Sequence, residues 1–569
     1  MHFEAERNVG RHIIDAICGF IFIFNSSPVA RGTALRRRNF LAATAASAVP
    51  LACRKKPEFP FTGEILGQDM ALGHRLREGA LPDPDRFEPV STLIVGGGVA
   101  GLSAAWRLAG GGMDDFHVLE LEPEPGGTSR SGRNHVSAFP WAAHYLPVPD
   151  RGNHAVLRLL QECGVLEGFD AKGDPTFAEE ATVRAPEERI FAYGQWWEGL
   201  YLRAGASLED ERQYHAFFHE VDRWAAFRDG QGRPAFSIPR ARCSGAPKAR
   251  ALDDLSFATW LDQQGLDSPR LRWLLDYACR DDYGTRLDTT SAWAGLFYFA
   301  ARKQGPGEDS RPLLSWPQGN GFLVEHLRRT CGDRLRCGVA ATSIRPDGDR
   351  LLVTAWDAVH QQSLGWRAKR VIFAGPQHVA RHLIAGLDTA RPALARIHNA
   401  PWLVANLTLR SRPLETTFPL AWDNVLRDSE ALGYVVATHQ SLRDHGPTVL
   451  TWYRPFTGAD CEAERDRLQA MDWPACARMV MADLRSAHPD LESLVARLDV
   501  MRWGHAMVRP EPGLMWDPAL LALSRPFGAI HFAHTELSGL ALFEEAQDHG
   551  LRAAQEVLAA LGLRSVSWR

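Results

Sequence analysis

Lysine is almost missing from this chain: of 64 basic residues among 569, six are lysines, a bias that reflects composition rather than chemistry. Positive charge is also unevenly spread. Residues 1–56 hold nine Lys/Arg against three Asp/Glu, so the remainder sits near −10 within a total of −4. An acidic body excludes nucleic acid as an expected partner. The nine cysteines form no CxxC pair and have no histidine cluster beside them, which excludes a metal site of the usual spacing. Long apolar runs are lacking too: residues 13–24 are apolar but short and hold Asp15, which excludes a spanning helix there. There is no internal repeat and no long low-complexity tract. What is left, 45% apolar and 23% charged residues, is an ordinary globular composition, long enough for two or more structural units.

The most informative stretch runs from 92 to 131. An apolar strand, Thr92-Leu-Ile-Val95, breaks into Gly96-Gly97-Gly98-Val99-Ala100-Gly101. A helix-prone run at 102–108 follows, and a second strand, Phe116-His-Val-Leu119, ends on Glu120. Strand, glycine turn, helix, strand and acid come in the order a dinucleotide-binding unit needs. Gly96 permits the tight turn, Gly98 lets the backbone approach a pyrophosphate, and Gly101 lets helix and strand pack closely. The phosphates would lie on the free amides and positive end of the helix. Glu120, nineteen residues past Gly101, is placed to accept hydrogen bonds from a ribose hydroxyl.

Ahead of this unit, Arg37-Arg38-Asn39-Phe40-Leu41 resembles the twin-arginine export signal and precedes an apolar stretch too short to span a bilayer. That resemblance implies export to the periplasm already folded, which suits a protein that loads a nucleotide cofactor first. Leu51-Ala52-Cys53 is similar to a lipoprotein attachment site, and a membrane enters as a partner only if Cys53 is lipidated. Residues 1–28 fit such a signal poorly, and Val29 is an alternative start.

Further along, residues 57–87 are rich in Pro, Gly and charge and read as a linker. Residues 151–310 read as mainly helical, with few strand signals after about 200. A helix is expected over 322–329, a hairpin around Pro346-Asp-Gly-Asp349, strands at 370–374, 403–409 and 433–438, helix around 461–486, a buried strand at 529–533 and a closing helix over 543–561.

Beyond Glu120 the chain reads Leu121-Glu-Pro-Glu-Pro-Gly126-Gly127-Thr128-Ser-Arg-Ser131. This resembles, position by position, the paired-glycine extension of the flavin-containing amine oxidase, phytoene desaturase and protoporphyrinogen oxidase superfamily. Gln318-Gly319-Asn320-Gly321 with the hairpin through 341–344 is similar to that family's central flavin-binding segment. Phe532-Ala-His-Thr-Glu536 and Leu542-Phe-Glu-Glu-Ala546 are similar to its C-terminal one. The resemblance implies an α/β fold in which a Rossmann-like FAD-binding domain is built from separate segments (88–150, 311–385 and 510–569). An α+β substrate domain would be formed by 151–310 and 386–509. It also implies non-covalent FAD held by Gly96, Gly98, Val99, Ala100, Gly101, Glu120, Leu121, Gly126, Gly127 and Thr128. The backbone at Ala341 would meet the adenine, and Thr535 and Glu536 would lie beside the ribityl and isoalloxazine end.

The sequence also departs from that family. The strand at 402–409 has Asn406 and no lysine where amine oxidases usually carry one, and Leu542 stands where they have a cage aromatic. Glu545 replaces a glycine that normally lets the last helix approach the flavin. His144 and Tyr145, in Phe139-Pro-Trp-Ala-Ala-His-Tyr, fall where relatives run a strand past the flavin ring and are the candidates for chemistry. The cluster from Asp281 to Arg286 reads as a helix cap. Three readings stay open. One is an oxidoreductase taking hydride from an amine, with oxygen or another acceptor reoxidising the flavin. A second is a desaturase or dehydrogenase whose apolar pocket draws on Trp293, Phe297, Tyr298 and Phe299. The third is a flavin-binding protein without turnover.

Overall fold

A computed structural model describes residues 58–78, 81–441, 443–563 and 568. The export signal and Cys53 lie outside the described residues. Two sheets organise residues 59–563.

The first sheet carries the glycine turn. Its parallel part runs Leu335–Cys337, Phe116–Glu120, Glu88–Val95, Gln362–Phe373, with Ile530–Phe532 beside the last of these. Val95 is in register with Leu119 on one side and Phe373 on the other, and Phe373 with Phe532. These carboxyl ends therefore finish level with one another, the edge where open α/β sheets take their ligands. Both Leu93 and Ile94 are fully buried, as expected of strands covered on both faces. The expected hairpin is present: Val339–Asp347 and Arg350–Asp357 turn around Gly348 and return as Gln362–Phe373, forming an antiparallel meander. The helices Val99–Gly110 and Phe543–Ala560 pack against each other on one face of this sheet, sharing a core of Leu102, Trp106, Leu551 and Val557.

The second sheet has the order Ile65–Leu66, Val495–Val508, Asn399–Leu409, Thr448–Pro455, Gly433–Val436, Asp423–Leu426, Glu188–Ala192, Gln195–Glu198. Its central strand, Asn399–Leu409, is buried along its whole length. Strand periodicity sends Leu403, Ala405 and Leu407 under the helices Cys461–Gln469 and Trp473–Leu484. Ala400, Trp402 and Val404 point the other way, toward Phe139, Trp141 and Trp503. Ile65–Leu66 corrects one expectation. These residues, read as linker, pair in parallel with Val500 and Met501.

Residues 151–310 divide in two. Short strands occupy 166–198, and helices follow: Leu208–Ala226, Phe257–Gln263, Pro269–Tyr283 and Ala292–Ala300. The first of these starts on a capping box between Ser207 and Asp210 and buries Gln213, Phe217, Val221 and Trp224, one stripe of a 3.6-residue period. Trp293 and Phe297 are core of this block, whereas Tyr298 and Phe299, on the same helix, line a cavity.

Candidate functional site

The glycine turn leads from Val95 into the helix Val99–Gly110, whose N-terminus no side chain caps. An added Cβ at Gly101 would lie 1.9 Å from the Gly96 carbonyl oxygen, so only glycine closes this turn. At Gly98 an added Cβ meets nothing within 4 Å, so the space over the first helical turn, with Val99 and Ala100, is open. Glu120 ends its strand beside the turn: its carboxylate accepts from the Gly97 amide at 2.7 Å and from the Glu122 amide at 2.9 Å. Burial raises its pKa. Leu121 follows it into the loop. The Gly126 amide donates to the Gly97 carbonyl at 2.8 Å, and Gly127 and Thr128 form the next turn, where the Thr128 carbonyl accepts from Ala143 at 3.0 Å. The paired glycines are thus tied to the first turn at one end and to the His144 segment at the other.

Other candidates fall into different settings. Ala341 lies at a bulge in Val339–Asp347 with its side chain in the core beside Val95 and Leu119, while the strand in register with Glu120 is Leu335–Cys337. Glu536 is buried, and its carboxylate accepts from the Gln377 amide at 2.5 Å and from Asn399 Nδ2 at 2.8 Å. It ties the two sheets together, with Thr535 at the start of the same turn. Asn406 is likewise structural: it donates to the Pro140 carbonyl at 3.1 Å and accepts from Thr451 at 2.7 Å. Glu545 turns away from the glycine motif into the helical block, where it accepts from the Arg240 amide at 2.5 Å; burial lifts its pKa to about 8.

A small cavity of about 120 Å³ lies where Thr128, His144, Asn320, Trp402, Trp503 and Glu544 converge, with Leu542 in its wall. Asn320 and Trp402 belong to its wall, and Asn320 Oδ1 and Trp402 Nε1 are buried without a hydrogen-bond partner. Unpaired buried polar atoms are costly unless something satisfies them. An uncapped helix, open space at Gly98 and an acid at Glu120 together fit a flavin dinucleotide.

A larger cavity of about 670 Å³ joins it, the two sharing His144, Tyr145, Asp281, Arg302 and Tyr453. Aromatic rings frame the junction. The His144 ring stacks on Tyr453 at 4.9 Å and lies 5.5 Å from Trp422, and Tyr145 stands edge-on to Trp422 at 5.9 Å. His144 Nδ1 is 3.2 Å from the Ala142 carbonyl, and burial lowers its pKa to about 4, so the ring is neutral at pH 7. The Tyr145 hydroxyl donates to Asp282 at 3.2 Å, and Arg302 holds both oxygens of Asp282 at 2.9 and 2.7 Å.

Along the wall of this cavity acids gather from three distant parts of the chain. Asp423 and Glu188 are partners in parallel strands, Asp281 comes from the helix Pro269–Tyr283, and Glu187 adds a fourth carboxylate. The Tyr277 hydroxyl donates to Asp423 at 3.2 Å. Burial, followed by Glu187 and Asp281, pushes Glu188 up to about 8. Burial and Asp282 push Asp281 up to about 7. Burial with Glu188 and Asp281 raises Asp423 well above the carboxylate range. The sequence reading as a helix cap holds for Gly284, which ends the helix in the left-handed region, but Asp281 and Asp282 belong to the cavities. Sequence reasoning also missed Glu187, Glu188, Asp423, Tyr453 and Trp422, which carry no local motif. It passed over Arg130, which is buried between Glu122 (3.6 Å) and the Trp503 ring (5.6 Å) two residues after Thr128.

Comparison with known proteins agrees with this geometry. The chain belongs to the flavin containing amine oxidoreductase family, whose model matches residues 99–558. Its cofactor is FAD. Over 75 residues, 13% of this chain and 14% of that relative's length, it is 43% identical to human peroxisomal N(1)-acetyl-spermine/spermidine oxidase. Among solved structures it is similar to a putrescine oxidase bound to putrescine (TM-score 0.60, 16% identity, 83% of this chain and 100% of that one). It is also similar to cyclohexylamine oxidase from Brevibacterium oxydans (TM-score 0.58, 16% identity, 84% and 100%). At that identity the likeness establishes the α/β fold.

Proposed function

We propose that the protein is an FAD-dependent oxidoreductase that oxidises a small cationic amine at the carbon next to nitrogen. The observation that carries this reading is the cavity with Glu188, Asp281 and Asp423 in its wall, which opens past aromatic rings onto the side where flavin fits. Carboxylates and ring faces together attract an ammonium ion. The same walls disfavour an apolar substrate, because burying it would strip water from those carboxylates without replacing it.

The amides at 99–101 and Glu120 would hold the pyrophosphate and ribose of FAD, and Thr128, Asn320 and Trp503 would border its ring. What FAD supplies when bound is a two-electron acceptor for hydride from a carbon–hydrogen bond. The chain's own residues bind and orient the substrate. Trp422, Tyr453 and the neutral His144 form a passage that keeps the reacting end apart from bulk water. Asp282 and Arg302 fix Tyr145 at its side. The cage aromatic missing at Leu542 has its counterpart in Trp402, Tyr453 and Trp503, which reach the small cavity from the second sheet. Purified holoenzyme tests the reading: its yellow colour should bleach anaerobically with a diamine. Bleaching only with an apolar substrate would support the desaturase reading, and a protein that cannot be reconstituted with FAD would sink both.

Arg37-Arg38 and the apolar stretch after it support, as a further part of this reading, export to the periplasm by the twin-arginine route, with oxygen or another acceptor reoxidising the flavin. Fractionation of cells expressing an Arg37→Lys, Arg38→Lys variant tests it: the variant should stay in the cytoplasm.

A further inference from the structure

Oxidising an amine that arrives as an ammonium ion requires the loss of an N–H proton, and that proton needs a way out of the reaction cavity while substrate fills the larger cavity beside it. Most polar side chains around the small cavity are unsuited to it. Burial holds His144 near 4, far too low to accept a proton at neutral pH, and raises Tyr145 and Tyr453 well above 10. Both oxygens of Asp282 are engaged by Arg302. Asp281 and Glu544 remain, each moved by burial to about 7.

Asp281 faces the larger cavity through which substrate would enter, whereas Glu544 faces a different one. It sits in the first turn of the helix Phe543–Ala560, is 4% exposed, and forms no ion pair among the described residues. On one side it lines the small cavity. On the other it lines a separate cavity of about 150 Å³, with Asn153, His154, Arg242, Gln547 and Asp548. That outer cavity has Asn153, His154, Gln547 and Asp548 in its wall and room for water, and it reaches the surface at His154 and Ala241, both exposed. The charged groups facing Glu544 are Arg302, Asp282 and Asp281 across the small cavity, Asp548 on its own helix, and His154 and Arg242 across the outer one.

We propose that Glu544 is a proton-transfer residue that carries protons between the flavin-facing cavity and solvent through the outer cavity. In the forward direction the substrate N–H bond breaks, its electron pair stays on nitrogen, and an O–H bond forms on the Glu544 carboxylate. The proton then passes to water in the outer cavity and the carboxylate is restored. No electrons move in this step. The role in turnover rests on the amine reading above; the connection between cavity and solvent does not.

Two measurements on the FAD-loaded full chain test it. In a pH jump across 7 without substrate, the absorbance of bound flavin should report ionisation of the cavity. Glu544→Gln, similar in shape but unable to ionise, should remove or slow that signal by about tenfold or more in protein that is still folded and FAD-loaded. Glu544→Asp should restore it, and Ala241→Trp, at the mouth of the outer cavity, should slow it. In anaerobic mixing with a saturating amine, a pH indicator should show proton release delayed in Glu544→Gln by a similar factor. Wild-type kinetics for Glu544→Gln in the pH jump would overturn the proposal. A wild-type protein that gives the pH-jump signal but is bleached by no amine would instead overturn the amine reading and leave the proton path standing.

Discussion

Replacing Glu188 with glutamine removes one of the acids that would meet an incoming ammonium ion, and its effect should depend on pH. With burial holding its pKa near 8, Glu188 is protonated in about nine of ten empty molecules at pH 7. An entering ammonium favours the ionised form, so binding releases a proton. Apparent affinity should then rise about tenfold per pH unit for each proton released, from pH 6 to 8, and level off above that. The protons belong to the coupled set of Glu188, Asp281 and Asp423, so the midpoint is a property of the cluster. Glutamine removes a charged hydrogen-bond partner worth about 1.5–3 kcal/mol, roughly a tenfold to 150-fold loss of diamine affinity. That loss should be seen in full at pH 9 and largely vanish at pH 6. Calorimetric titration of an unreactive diamine in two buffers of different ionisation enthalpy counts the released protons. Equal losses at pH 6 and 9, or no proton release in the wild type, would refute the reasoning. The same groups set a stability trend. Their folded pKa values lie above the unfolded ones, so the folded state binds more protons between roughly 4.5 and 8. Melting temperature without ligand should fall as pH rises through that window, and a diamine should restore it.

Three further outcomes follow from the geometry. Gly98→Val should fold, because its side chain meets open space, yet lose flavin by about tenfold or more, read from the visible absorbance of purified protein. Glu545→Gly should leave the Arg240 amide without its 2.5 Å partner and lower stability by about 1–3 kcal/mol, measured by denaturant unfolding, rather than improve flavin binding as the family pattern suggests. Asp282→Asn breaks a buried pair in which Arg302 Nη2 holds both carboxylate oxygens and should cost about 3–5 kcal/mol, measured by denaturant unfolding; retention of wild-type stability would refute it.

The sequence by itself determined the nucleotide end of the protein. The turn from Gly96 to Gly101, the acid at 120 and the paired glycines at 126 and 127 act through backbone geometry within some thirty residues, and local geometry is written in local spacing. The hairpin around Gly348 and the closing helix were legible for the same reason. The substrate end was not, because nothing local marks it. Glu188 and Asp423 meet only because their strands pair in parallel across more than 200 residues of chain, and Asp281 joins them only because the helix Pro269–Tyr283 lies against that sheet. Tertiary packing separated Tyr298 and Phe299 from Trp293 and Phe297 within one helix, and it drew residues 65–66 out of a linker into a sheet. It also turned Glu545, a misfit by pattern, into the anchor of the Arg240 loop. Short-range rules fix where a backbone turns, whereas which carboxylates share a cavity depends on how distant elements dock, and only the folded chain decides that.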